Sequence, residues 1–338
     1  MSLMEKLMKA GSVKQSSILA DSPFFNEKDC IPTKLPILNL AFSGSLDGGL
    51  VPGLTIFAGL SKSFKTLLGL YCMKAYFDKY PSAISLVYDS EFGITPEYLK
   101  SIGIDTERVI HIPVEHVEEL KFDVMKRLKE IERDDKVFIM IDSLGALASK
   151  KEVEDAMSEK SVADMTRAKS IRSLLRMITP HLTMKDIPCI VINHIYQTME
   201  LYSKAVVGGG TAVMYSANQI FIISKSQEKD GEDLVGWNFT ISIEKSRFVK
   251  ERSRLPFTVT FEGGIDPFSG LFELALEAGV LESPTKGWYV LKGTDKKFRA
   301  KDTNSQEFWK PILADADFRD FLTRKFSVSS GKNMVSKV

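Results

Sequence analysis

The sequence predicts an α/β protein built on a mostly parallel central sheet, with a small helical piece at the N-terminus and a small α/β module at the C-terminus. Three observations predict it. Strand-length apolar runs recur through the middle of the chain, and amphipathic stretches of helical length separate them. A loop rich in Ser and Lys joins the first clear run to the helix that follows. The 338 residues, 44% hydrophobic and 26% charged, suffice for one large core with one or two appendages.

The apolar runs are LTIFAG (54–59), ISLVYDS (84–90), VFIMIDS (137–143), CIVIN (189–193) and QIFIIS (219–224). Several are apolar almost throughout, as strands covered on both faces require. Helices are predicted over Thr66–Tyr80, Thr95–Ile102, Val117–Ile131 and Val162–Ile178. FTISIEKS and FTVTFEGG alternate apolar and polar residues and read as antiparallel strands at one sheet edge. Before this core, Leu3, Leu7 and Met8 form a short apolar stripe that needs another surface to cover it. After it, Gly263, Gly264, Asp266, Pro267 and Gly270 mark a boundary. The expected division is 1–33, 34–267 and 268–338, the last ending in a flexible tail.

The formal net charge of +1 excludes a uniformly basic nucleic-acid binder, so any DNA contact must come from local clusters. Cys30, Cys72 and Cys189 are too few and too dispersed for a disulfide framework or a zinc site. Reduced core thiols, no membrane span and no secretory segment give a cytoplasmic expectation.

GLSKSFKT, from Gly59 to Thr66, follows a strand and opens a helix, the setting in which backbone N–H groups cradle phosphates. Ser61, Lys62, Ser63 and Phe64 lie in the loop, Lys65 would neutralise outer phosphates, and the Thr66 hydroxyl would ligate Mg²⁺. Phe64 departs from the pattern, because glycine usually precedes the lysine. Alone, the string also fits a turn with no ligand. Asp142 ends the apolar run VFIMID and is the natural water-mediated Mg²⁺ carboxylate; a strand-end cap is the alternative. Asp89 and Glu91 project from one face of the strand end after LVY, and Glu91 is the candidate general base. A helix-start carboxylate is its rival reading.

In the helix from Val162, Ile171, Leu174, Leu175 and Ile178 share one face, with Lys169, Arg172 and Arg176 opposite. A solvated basic face is the default for these cations. Arg167 differs, lying toward the apolar side beside a polar loop. After Asn193 and His194 comes IYQTMELYSKAVVGGG, in which Tyr196, Tyr202 and Lys204 precede Gly208, Gly209 and Gly210. Aromatics, a lysine and glycines suit contact with single-stranded nucleic acid; a plain flexible connection fits equally well.

In order and content these motifs resemble the RecA-type recombinases, most closely the phage UvsX branch. GLSKSFKT, VYDSEFGITPEYL, IDSLGALASKKEVEDA and the stretch from DMTRAK to VINH carry the resemblance. GGGTAVMYSA, EKSRFVKERS and GGIDPFSGL extend it over nearly the whole chain. It implies a RecA-like P-loop ATPase core and a helical filament on single-stranded DNA that pairs with homologous duplex DNA and exchanges strands. It implies ATP and Mg²⁺ as cofactors, and single-strand-binding and mediator proteins as partners. By resemblance Lys65 and Thr66 bind phosphate and Mg²⁺, Asp142 is the second acid, Glu91 is catalytic and Tyr98 stacks on adenine. His194 stands where bacterial RecA commonly has a γ-phosphate-sensing glutamine, and its protonation would make coupling pH-sensitive. Lys245 and Arg247 match a pair that reaches the neighbouring subunit's ATP. Arg167 falls in the first DNA-binding loop and 196–210 in the second. Phe64 precedes the lysine in the UvsX branch as well. A ring helicase with the same core and a non-catalytic ATP-binding regulator are the competing readings.

Overall fold

The computed structural model of the chain describes residues 1–13, 15–25, 30–158, 166–197, 205–230, 233–261 and 264–328. Ser2 caps helix α1 (Leu3–Ala10) reciprocally with Glu5. No residue of α1 is buried, so its Leu3–Leu7 stripe stays uncovered. The chain enters the core at Ile31, which bridges Leu50, and continues into the buried helix α2 (Pro36–Ser43).

Strands and helices then alternate: β1 (Gly53–Gly59), α3 (Lys65–Lys79), β2 (Ile84–Asp89), α4 (Pro96–Ile102), β3 (Val109–Pro113), α5 (Val117–Glu130), β4 (Val137–Asp142), α6 (Lys150–Met157), α7 (Thr166–Met184) and β5 (Pro188–Asn193). A two-stranded hairpin follows, β6 (Ile195–Gln197) against β7 (Ala205–Val207), then the short helix α8 (Thr211–Ser216). The sheet is completed by β8 (Gln219–Asp230), β9 (Asp233–Lys245), β10 (Arg254–Thr260) and β11 (Gly264–Ile265).

The nine strands lie in the order β11-β10-β9-β8-β1-β5-β4-β2-β3. From β8 to β3 every neighbour is parallel, and from β8 to β11 every neighbour is antiparallel. The predicted α/β class with an antiparallel edge is therefore the observed one. Both faces are covered, because alternate residues feed different layers. In β4, Phe138 and Met140 pack on the α3 side, whereas Val137, Ile139 and Ile141 pack on the side of α5 and α7.

Beyond the sheet, α9 (Leu271–Glu277) leads to a three-stranded sheet of β12 (Leu281–Thr285), β13 (Trp288–Leu291) and β14 (Lys297–Phe298). Two helices, α10 (Gln306–Ala314) and α11 (Ala316–Phe326), close this region around the buried Trp309, which stacks on Phe268.

Some boundaries differ from expectation. Helix α7 runs past Ile178 and through Pro180 to Met184. An internal proline costs about 3 kcal/mol, but the apolar stripe continues to the fully buried Leu182, and that packing keeps the turn helical. Its predicted first residues, 162–165, and the tail 329–338 lie outside the described residues. Strand β8 extends beyond Ser224 because its outer half pairs with β9.

Candidate active site

The parallel strands β1, β2, β4 and β5 end on the same edge of the sheet, and their exit loops make the site. Gly59, the last residue of β1, has no room for a side chain: a Cβ would stand 2.6 Å from the Ile223 carbonyl oxygen and 2.8 Å from Ser63 Oγ. The loop then curls into α3. Lys62 and Phe64 both take left-handed backbone angles, φ 59° and 57°, at a cost of about 1–2 kcal/mol each for a side-chain-bearing residue. Phe64 is held there by its ring, which meets Phe239 edge-on at 5.1 Å; Phe239 in turn stacks on Phe257. An aromatic anchor on the antiparallel half of the sheet thus does the work that glycine's freedom does elsewhere.

Lys65 is nearly buried and folds back, its Nζ donating to the Leu60 carbonyl at 2.7 Å and to Ser63 Oγ at 3.2 Å. Burial lowers its pKa, against the opposing attraction of Glu91 and Asp142. Thr66 Oγ1 donates to Asp142 Oδ2 at 2.6 Å. The other Asp142 oxygen, Oδ1, is buried without a partner. Burial pushes the Asp142 carboxyl up to about 6, helped by the charges of Glu91 and Asp89 and opposed by the Thr66 hydrogen bond and Lys65. A threonine hydroxyl beside a carboxylate with an unsatisfied oxygen is the donor set a small, hard divalent cation requires, so these residues fit Mg²⁺.

The two carboxylates expected on one strand face are separated instead. Strand β2 stops at Asp89, which is almost fully buried; its Oδ1 accepts from the backbone N–H groups of Glu91 and Phe92, and its Oδ2 lies 3.2 Å from His111 Nε2. The turn so held carries Glu91 into the open cleft. There Ser143 Oγ donates to Glu91 Oε1 at 2.5 Å, and His194 Nε2 is 3.2 Å from the same oxygen. His194 packs against Gly145, where a Cβ would come within 2.3 Å of its ring.

Lys65, Thr66, Glu91, Asp142 and His194 line a cleft of about 480 Å³ together with Tyr98 of α4. Three further residues line it that no motif had indicated: Lys225 of β8, Trp237 of β9 and Phe261, just after β10. The Lys225 ammonium stands 4.6 Å from the Trp237 ring centre. They come from the antiparallel edge, where an alternating pattern reports burial but not what the exposed positions face.

Asn193 is a fourth residue whose role no motif had indicated. It is buried at the end of β5; its Oδ1 accepts from His194 N at 2.9 Å and its Nδ2 donates to the Gly208 carbonyl at 2.8 Å. One side chain therefore ties His194 to the root of the β6–β7 hairpin. Tyr196 is half exposed on that hairpin, Gly209 and Gly210 have positive φ beyond it, and Tyr202 and Lys204 lie outside the described residues. Arg167 is half-buried, its guanidinium donating to the carbonyls of Leu144, Gly145 and Leu147, so it shapes the loop under His194. Lys169, Arg172 and Arg176 are exposed along α7. Lys245 and Arg247 do not line the cleft; Lys245 Nζ donates to the Met214 and Tyr215 carbonyls, and burial lowers its pKa, with the charge of Arg247 adding to the effect.

Residues 27–266 match the RecA N-terminal domain family. The chain belongs to the RecA family. Residues 268–322 match the C-terminal domain of the bacteriophage T4 recombination and repair protein. Among relatives, the "Recombination and repair protein" of Enterobacteria phage T4 is 51% identical over 338 residues, covering 97% of this chain and 86% of the relative. "Protein RecA" of Streptomyces rimosus is 26% identical, covering 85% of this chain and 74% of the relative. Its counterpart from Streptomyces venezuelae is 28% identical over 79% and 70% of the two chains.

Proposed function

We propose that this RecA-family protein is an ATP-driven DNA recombinase: it assembles as a helical filament on single-stranded DNA, pairs it with homologous duplex and exchanges strands. The observation that carries this reading is the continuous hydrogen-bonded path from Glu91 through Ser143 and His194 to Asn193 and the hairpin root at Gly208. A change at the γ-phosphate end of the cleft has a direct route to the second DNA loop, which is what nucleotide-controlled DNA grip requires.

In this reading the loop from Gly59 to Thr66 wraps the phosphates and Lys65 exchanges its carbonyl partner for phosphate oxygens. Thr66 and Asp142 hold Mg²⁺, which supplies charge neutralisation on the phosphates. Glu91 orients the attacking water and accepts its proton, and His194 senses the γ-phosphate. Tyr98, with Phe261 and Trp237, walls the base. Lys245 and Arg247 reach a neighbouring subunit's ATP, where positive charge stabilises the transition state. Arg167, Tyr196, Tyr202, Lys204 and Gly208–Gly210 serve the DNA loops. The uncovered stripe of α1 docks on an adjacent subunit, giving the division 1–33 for assembly, 34–267 for the ATPase core and 268–338 for the C-terminal module. Among the described residues no helix is long and apolar enough to cross a membrane; the site of action in this reading is the cytoplasm, that of the host cell if the chain is of phage origin, with single-strand-binding and mediator proteins as partners.

The test pairs two assays. ATPase activity at saturating ATP should rise severalfold with single-stranded DNA, and D-loops should form with homologous but not heterologous duplex. No DNA stimulation, or D-loops indifferent to homology, overturns the reading.

A further inference from the structure

Lys245 is the last residue of β9 and Arg247 lies in the loop that leads to β10, and this loop is not held by the sheet alone. Past Arg247 it runs antiparallel to the end of α11: Lys250 N donates to the Phe326 carbonyl and Val328 N donates to the Phe248 carbonyl, each at 2.8 Å, around the bridge Val249–Ser327. Lys250 Nζ adds a bond of 2.6 Å to the Arg324 carbonyl. Underneath, Val249 and Phe326 are buried in the common core. Gly44, with φ 74°, closes the far side so tightly that a Cβ there would lie 2.9 Å from Ser327 Cα. Arg247 itself is exposed and makes no hydrogen bond or ion pair among the described residues. Its placement therefore depends on its backbone, which is tied before it by Ser246 Oγ, accepting from Phe248 N and Val249 N at 3.1 Å each, and after it by the pairing with Phe326–Val328.

We infer that Phe326–Val328 is a positioning strap: by pairing with Phe248–Lys250 it sets how Lys245 and Arg247 are presented, so that the C-terminal module of one subunit tunes ATP hydrolysis in the next. The inference rests on the reading of Lys245 and Arg247 as donors to a neighbour's site. A strap made of two backbone hydrogen bonds over a buried Val–Phe contact is strong enough to hold the loop and small enough to be released without unfolding the sheet.

Mixed filaments on single-stranded DNA test it. A Glu91→Gln chain binds ATP without hydrolysing it but still offers Lys245 and Arg247. A Lys245→Ala/Arg247→Ala chain has its own site but offers no cations. Mixing the two should restore turnover well above either chain alone. Val328→Pro is then added to one chain at a time; it removes the N–H that bonds Phe248 and fixes φ at 328, and Ser327 already has the extended angles (φ −71°, ψ 140°) that a following proline demands. Placed in the Glu91→Gln chain it should lower the restored kcat about fivefold, the scale of one net hydrogen bond, with KM for ATP unchanged. Placed in the double-alanine chain it should do nothing, and Val328→Ala should do nothing in either. Lys250→Met, which keeps the packing stem but loses the Arg324 bond, should act in the same chain with a smaller, about twofold, loss. Equal loss from either chain, or none from either while mixing still restores turnover, overturns the strap and leaves the donor reading standing. No restoration on mixing overturns the donor reading, and the strap falls with it.

Discussion

Replacing Asp142 with asparagine should stabilise the nucleotide-free protein while destroying its use of Mg²⁺. The side chain is 4% exposed, with one oxygen on Thr66 and the other unpaired. Its carboxyl is raised from 3.8 to about 6, chiefly by burial. At about 1.4 kcal/mol per pKa unit, that difference corresponds to roughly 3 kcal/mol of folding free energy lost when the group is ionised. The sign follows from proton uptake. Between 3.8 and about 6 the folded chain binds more protons than the unfolded one, so stability falls as pH rises through that window and stays low above it. Asparagine keeps an acceptor for Thr66 and carries no charge to desolvate. Urea melts without Mg²⁺ or nucleotide should therefore show Asp142→Asn more stable than the parent by about 2–3 kcal/mol at pH 7.5, with the gap nearly closed at pH 4. With Mg²⁺ and ATP at 100 times their dissociation constant, the parent should gain about 2.7 kcal/mol and the variant little. A variant less stable than the parent at pH 7.5, or a gap independent of pH, refutes the reasoning.

Three further substitutions probe other parts of the site. Glu91→Gln should leave ATP-dependent assembly on single-stranded DNA intact, measured by sedimentation, and lower single-turnover hydrolysis by about 10²–10⁴; lost ATP binding would mean its role is misassigned. Phe64→Gly relieves about 1 kcal/mol of backbone cost but forfeits ring burial and the Phe239 contact, together about 2–3 kcal/mol. Denaturant melts should thus show net destabilisation of about 1–2 kcal/mol, and a more stable glycine variant would show that the ring contributes little. Asn193→Ala should leave DNA-free ATPase and ATP affinity near the parent's while cutting DNA stimulation severalfold, read as the ratio of rates with and without DNA.

Where a strand is buried on both faces its composition announces it, which is why β1, β2, β4, β5 and the start of β8 were legible. Strand β3 was not: it is an edge strand, with Ile110 and His111 exposed and a proline at its end, so burial left little mark on its sequence. Asp142 and Glu91 stand out as carboxylates that follow apolar runs and Thr66 as a hydroxyl where a Ser/Lys-rich loop opens a helix, whereas His194 was singled out only through the family resemblance. Asn193 and Ser143 act by hydrogen-bonding those residues, a role many polar side chains fill, and nothing in their spacing distinguishes them. Lys225, Trp237 and Phe261 reach the cleft only because β8 pairs with β1 across 164 residues of chain, as the Leu54–Asn218 bond shows. No local pattern encodes such a distant pairing. Phe64 was the reverse case: visible as an oddity, but explicable only once Phe239 was seen beneath it.

The position of β1 in the sheet also governs when this protein can first become active. The strand that delivers the phosphate loop is flanked by β5, beginning at Pro188, and β8, beginning at Gln219. While the ribosome is making the first half of the chain, β1 has no neighbour on either side, and pairings so far apart in sequence form slowly. Nascent chains lacking both β5 and β8 therefore hold a complete phosphate-loop sequence on a strand with no sheet partner. Until those pairings form, β1 is an apolar strand with two unpaired edges, the state in which a nascent chain is exposed to aggregation.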